Sequence, residues 1–99
     1  DDGSLGPESY SLYQNYPNPF NPVTTISYDI PEDALVNVTI YNMGGEVVKT
    51  LINQAQTSGY KSIQWNATNT VGQAVSAGLY FYRIHAGDFI MSKKMVLLK

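Results

Sequence analysis

A protein metal site needs several clustered ligands, and this sequence holds one histidine, His85, and no cysteine. His85 falls on the polar side of a β-forming run and reads as a surface group. Asp29, Glu32 and Asp33 lie close together around Pro31, and carboxylate oxygens are calcium's preferred partners. They lack the dense alternation of Asp, Asn and Gly that calcium loops use, so a solvated acidic turn is the simpler reading. The other acids, Asp1, Asp2, Glu8, Glu46 and Asp88, fall in linker or turn contexts. None makes a pair facing across a cleft, as glycoside hydrolysis requires. There is no Gly-x-Ser-x-Gly element and no phosphate-cradling glycine loop. Asn37-Val38-Thr39 and Asn66-Ala67-Thr68 match the glycosylation acceptor, a pattern an Asn/Thr-rich β domain meets by chance. No catalytic residue, metal or cofactor is expected, and a small hydrolase is the weakest of the readings considered.

With no reaction centre to position, the elements themselves carry the argument, beginning at the end of the chain. Leu79–Ala86 and Phe89–Leu98 are rich in Tyr, Phe, Ile, Val and Met and flank Gly87-Asp88. Such side chains suit a pleated, half-buried surface. A two-residue hairpin loop pairs Ala86 with Phe89, Ile84 with Met91, Tyr82 with Lys93 and Tyr80 with Met95. That face is apolar, while Arg83, His85, Ser92 and Lys94 take the other, the pattern of an antiparallel sheet covering a core. Lys93 breaks it. Either its stem is buried with its head in water, or a bulge shifts the register.

Upstream, Val23–Ile30 places Thr24, Ile26, Tyr28 and Ile30 on one face, and Leu35–Tyr41 places Val36, Val38 and Ile40 inward. Asn42-Met43-Gly44-Gly45 reads as a hairpin loop and Glu46–Ile52 as the returning strand, with its register open. Asn53–Gly59 reads as a polar connection. Tyr60–Asn66 puts Ile63 and Trp65 on one side, with Trp65 expected in the core, and Thr68–Ala77 is a polar loop. No segment holds a helical period over three turns. About seven short strands punctuated by turns indicate an all-β, Ig-like, two-sheet antiparallel sandwich.

Two segments stand apart. Residues 1–9, DDGSLGPES, are polar and read as a linker from an upstream domain, with 10–99 as the folded unit. The absence of an initiating Met fits a piece of a longer protein. Tyr16-Pro17-Asn18-Pro19-Phe20-Asn21-Pro22 has three prolines, which remove three backbone donors and forbid a central strand or a helix. A stiff, polyproline-like structural strap is expected, with Tyr16 and Phe20 pinning it to the core.

Composition excludes several function classes. Of the 99 residues only 14% are charged and the net charge is −2, against the basic stripe that nucleic-acid binding needs. No apolar run reaches the ~18 residues of a transmembrane helix.

The order LYQNYPNPFNPVTTISYDIP, VNVTIYNMGGEVVKTL, SIQWNAT, AGLYFYRI and KKMVLLK resembles the C-terminal sorting domain, type A, of type IX secretion cargo. It also resembles the related Ig-like domain of the flagellar hook-capping protein. The likeness spans Tyr10 to Lys99. It implies a non-catalytic, secreted or cell-surface module of a Gram-negative bacterium, exported through the periplasm and recognised by secretion machinery at the outer membrane. Cleavage near the linker and surface attachment occur in many members. Motif correspondence makes Gly78, Tyr80, Lys94, Met95 and Val96 the recognition candidates. Two rival readings fit the same residues: an accessory carbohydrate-binding module with aromatic platforms, and a purely structural Ig-like module.

Overall fold

The computed structural model describes residues 6–98. Asp1–Leu5 and Lys99, and with them most of the expected linker and the last residue of the terminal run, lie outside the described residues. Seven strands form: β1 (Ser11–Leu12), β2 (Thr24–Ile30), β3 (Ala34–Asn42), β4 (Val47–Gln56), β5 (Gly59–Trp65), β6 (Gly78–Ala86) and β7 (Phe89–Leu97). They make two antiparallel sheets, ordered β1-β2-β5 and β4-β3-β6-β7. The all-β, two-sheet sandwich is therefore the architecture, and no helix is present among the described residues.

Alternation explains which faces meet. Ile26, Tyr28 and Ile30 of β2 oppose Val36, Val38 and Ile40 of β3 and Tyr82 and Ile84 of β6 across the layer, and all are fully buried. Side chains two apart on a strand share a face, so each of these runs puts every second residue inside. Trp65 is 1% exposed. Its ring lies 5.3 Å from Tyr80, edge-on, and 5.8 Å from Phe20. Its indole N–H donates to the Thr68 carbonyl at 2.9 Å, which meets the polar demand of a buried tryptophan.

The β6–β7 hairpin has the register that a two-residue loop dictates, with Ala86 opposite Phe89, Tyr82 opposite Lys93 and Tyr80 opposite Met95. The register is unbroken, so Lys93 is accommodated by a half-buried stem and not by a bulge. Gly87 makes the turn with φ of +58°, and a Cβ there would sit 3.0 Å from the Tyr10 hydroxyl. Positive φ at the first of two loop residues is the arrangement that matches strand twist. Bulges occur instead between β3 and β4, after Val38 and after Ile40.

Two expectations need correction. Asn53–Gly59 is not a loop: β4 continues to Gln56, paired residue for residue with Ala34–Asn37, and β5 starts at Gly59. Backbone pairing needs no apolar side chain, and an exposed edge strand tolerates Asn and Gln on its open face. The acidic turn does not hold together either. Asp29 is a buried β2 residue that accepts the Tyr13 hydroxyl. Glu32 accepts the Tyr10 hydroxyl and Asp33 the Ser58 N–H. The three carboxylates serve three separate neighbours.

Trp65→Ala removes the ring that links Phe20 to Tyr80 and is expected to cost about 3–5 kcal/mol. Urea unfolding of the variant beside the parent chain measures this, and a loss within about 0.5 kcal/mol would place the ring outside the core.

Candidate recognition surface

The last strand, β7, lies at an edge of its sheet. In this hairpin the odd-numbered residues of β7 exchange backbone bonds with β6, which leaves the N–H and C=O groups of the even-numbered residues directed at the open edge. Residues 14–20 occupy much of that edge. The Phe20 N–H donates to the Val96 carbonyl at 3.0 Å, and the Leu98 N–H donates to the Phe20 carbonyl at 2.8 Å. Between the prolines, the Asn18 side-chain oxygen accepts the Val96 N–H at 3.0 Å. The Gln14 amide donates to the Lys94 carbonyl at 2.7 Å. The proline-rich segment is thus a parallel cover over the last third of β7.

Its own anchorage is part apolar and part polar. Phe20 is buried against Trp65, whereas Tyr16 is 80% exposed and contributes through backbone pairing with Thr25. The expectation that Tyr16 pins the strap by its side chain is corrected: its ring stands in solvent while its backbone is paired with Thr25. Pro17, Asn18, Pro19, Asn21 and Pro22 are exposed. The backbone bends at Pro17–Pro19 and again at Asn21–Pro22, so the segment is not a uniform polyproline helix. Buried Asn15 donates to the Pro17 carbonyl and to Thr24 Oγ1, and Thr24 Oγ1 donates to the same carbonyl at 2.8 Å. Upstream, the Tyr82 hydroxyl donates to the Tyr13 carbonyl at 2.7 Å and accepts the Asn15 N–H at 2.8 Å. Burial pushes the Tyr82 phenol up to about 12, partly offset by the Asn15 N–H.

The five residues singled out on β6 and β7 divide by environment. Tyr80 and Met95 are core residues, and the Tyr80 hydroxyl donates to the Ser76 carbonyl at 2.6 Å. Gly78 opens β6 at φ of +145° with empty space about its α-carbon, so its requirement is conformational and not steric. Val96 is half-buried, and its backbone is taken up by Asn18 and Phe20. Lys94 alone of the five has a charged side chain in solvent, opposite Phe81 on the outer face. Sequence reasoning missed Gln14, Asn15 and Thr24. Their signal was faint: side-chain amides and hydroxyls just outside a run of prolines, where backbone donors are scarce.

A family model for the secretion system C-terminal sorting domain matches residues 14–98. The chain belongs to that family. It is a non-catalytic sorting module of type IX secretion, and its destination is secreted or cell-surface. Among solved structures it is similar to part of dimeric latent PorU from Porphyromonas gingivalis, at 23% identity and a TM-score of 0.75, over 88% of this chain and 9% of that one. It is also similar to part of PorZ from the same organism, an essential surface component of the type IX secretion system, at 21% identity and a TM-score of 0.62, over 89% and 11% of the two chains. The alkylpurine DNA glycosylase AlkC from Pseudomonas fluorescens is similar at 12% identity and a TM-score of 0.56, over 91% and 30%. These likenesses are of fold. The sorting module spans about a tenth of the length of the two Porphyromonas chains. No curated protein matches it. No helix among the described residues is long and apolar enough to cross a membrane.

Asn18→Ala leaves the Val96 N–H without its acceptor, at an expected cost of about 1 kcal/mol. Amide exchange should accelerate at Val96 and Leu98 while Ile84 stays protected. Tyr82 yields a pH prediction. Its phenol has a higher pKa folded than the ordinary value of 10.0, so the unfolded chain loses the proton first. The contribution is intact below pH 10 and is lost as pH rises from about 10 to 12, at up to about 1.4 kcal/mol per pH unit. Tyr82→Phe should therefore unfold with a shallower alkaline slope, measured by urea titrations from pH 8 to 12.

Proposed function

We propose that residues 10–99 act as one unit, read in the folded state by the secretion machinery at the outer membrane. The unit carries a larger parent protein there from the periplasm. The observation that supports this most directly is the treatment of β7. A terminal strand would ordinarily fray, yet the strap's hydrogen bonds hold its last residues and leave the Lys94 side chain in solvent.

In this reading the candidate residues have different duties. Lys94 is a contact. Val96 contributes a half-exposed apolar side chain beside it. Tyr80 and Met95 keep the hairpin packed, and Gly78 sets the entry of β6. Pro17, Pro19 and Pro22 stiffen the cover, Asn18 and Phe20 fasten it, and Tyr16 and Asn21 belong to its exposed surface. Any catalytic or adhesive activity belongs to the parent protein's other domains. Residues 1–9 act as the linker at which a processing enzyme would separate the two.

The test is a reporter carrying a signal peptide ahead of this chain, expressed in a type IX host. The parent fusion is expected at the surface or in the medium. Lys94→Ala should fold normally, because an exposed charge contributes within about 0.5 kcal/mol, yet accumulate at least partly in the periplasm. Retention of the parent fusion in the periplasm would refute sorting by this chain. Normal export of Lys94→Ala would remove Lys94 as a contact.

A further inference from the structure

The outer face of the four-stranded sheet is formed by residues 47, 50, 53 and 55 of β4, 35, 37, 39 and 41 of β3, 79, 81, 83 and 85 of β6, and the even-numbered residues of β7. Its formal charges are both positive, Arg83 and Lys94, although the whole chain carries −2. The nearest acids are at its ends, Glu46 in the β3–β4 turn and Asp88 in the β6–β7 turn, and Glu46 is engaged by the Asn42 amide at 2.9 Å. Among the described residues no carboxylate is hydrogen-bonded to Arg83. Its Nε–H donates to Ser92 Oγ at 3.3 Å, and its guanidinium lies 5.3 Å from the centre of the Tyr41 ring. Those two contacts restrain the group, and among the described residues no acceptor is hydrogen-bonded to its terminal N–H groups.

Beside Arg83 is a groove of about 420 Å³, lined by Tyr41, Gly45, Phe81, Arg83 and Ser92. Phe81 is half-buried in its floor, and Lys94 stands directly across from Phe81 on β7. The occupant must therefore supply a carboxylate for the fixed guanidinium and an apolar or aromatic side chain for the floor. A planar guanidinium takes a carboxylate through two parallel bonds. We infer that this groove docks an acidic segment of a partner protein, a Glu or Asp next to an apolar side chain, and is the face through which the sorting domain is read. The inference rests on the sorting reading above. A lipid surface fits poorly: two cations fall short of the four to eight that draw a protein to anionic membranes, and a flat bilayer does not enter a groove.

The reporter fusion separates the two claims. With the parent fusion exported, Arg83→Glu and Phe81→Ala should each lower the exported fraction at least about tenfold, as reversed or lost interface anchors do. Arg83→Gln should lower it less. Melting temperatures of the purified variants show whether each is folded, and the two Arg83 variants alter an exposed side chain only. Tyr60→Ala, on the outer face of the other sheet, should be exported like the parent. Normal export of a folded Arg83→Glu fusion would overturn the docking inference and leave sorting standing. So would a defect in Tyr60→Ala as large as that in Arg83→Glu. Failure of the parent fusion would instead refute sorting itself. The chain is also to be sedimented with vesicles of phosphatidylethanolamine and phosphatidylglycerol at 3:1 by about 150 mM salt, a screening condition at which only strong surface attraction survives. It should stay in solution, and Arg83-dependent pelleting would replace the protein partner with a membrane.

Discussion

An edge strand exposes a row of backbone donors and acceptors, and the strand that ends this chain is an edge strand. Everything distinctive in the structure follows from covering it. A second copy could pair there, as unprotected edges invite. The chain covers it with a segment that cannot itself be paired further. Prolines have no N–H, so the outer side of the strap offers little for another strand to join. Side chains complete the backbone pairing: Asn18 accepts from the Val96 N–H, Gln14 donates to the Lys94 carbonyl, and Asn15 and Thr24 donate to the Pro17 carbonyl. The result is a termination of the sheet and not an extension of it.

The cover is tied to the core by aromatic packing. Phe20 reaches in from the strap to meet Trp65 of β5, and Trp65 meets Tyr80 of β6. These rings come from three segments and both sheets, so the strap can leave only if the sandwich loosens. Tyr82 couples the same segment from its other end through two hydrogen bonds made by one hydroxyl. A module that must cross compartments gains from this arrangement, because local opening at the C-terminus is coupled to the stability of the whole.

Over its last third, β7 has its edge committed and its inner face in the core, so there only the outer face is open to a partner. Lys94, Val96 and the neighbouring β6 residues Phe81 and Arg83 are what remains readable. Residues important for a sorting signal therefore need not touch whatever reads it. Met95 and Tyr80 shape the strand whose other side is displayed. This separation matters for interpreting variants, since a core change alters folding and presentation at once.

The sequence by itself determined the sandwich, the inward faces of β2, β3 and β6, the hairpin register about Gly87-Asp88 and the core position of Trp65. Alternation with a period of two is local, and a two-residue loop leaves one register available, so neither depends on distant contacts. The family resemblance was also legible, because the proline segment and the terminal strand are continuous motifs. Tertiary structure alone decided that β4 runs on through Asn53–Gln56, since pairing between strands depends on a partner's backbone and not on apolar side chains. It decided that Asp29 is buried beneath Tyr13, that Tyr16 faces solvent while Phe20 does not, and that the strap lies on β7, about 80 residues away in sequence. It also placed Arg83 over Tyr41, bonded to Ser92 and, among the described residues, to no carboxylate. Those outcomes depend on which segments meet across long loops, and no pattern within one segment records what will be packed against it.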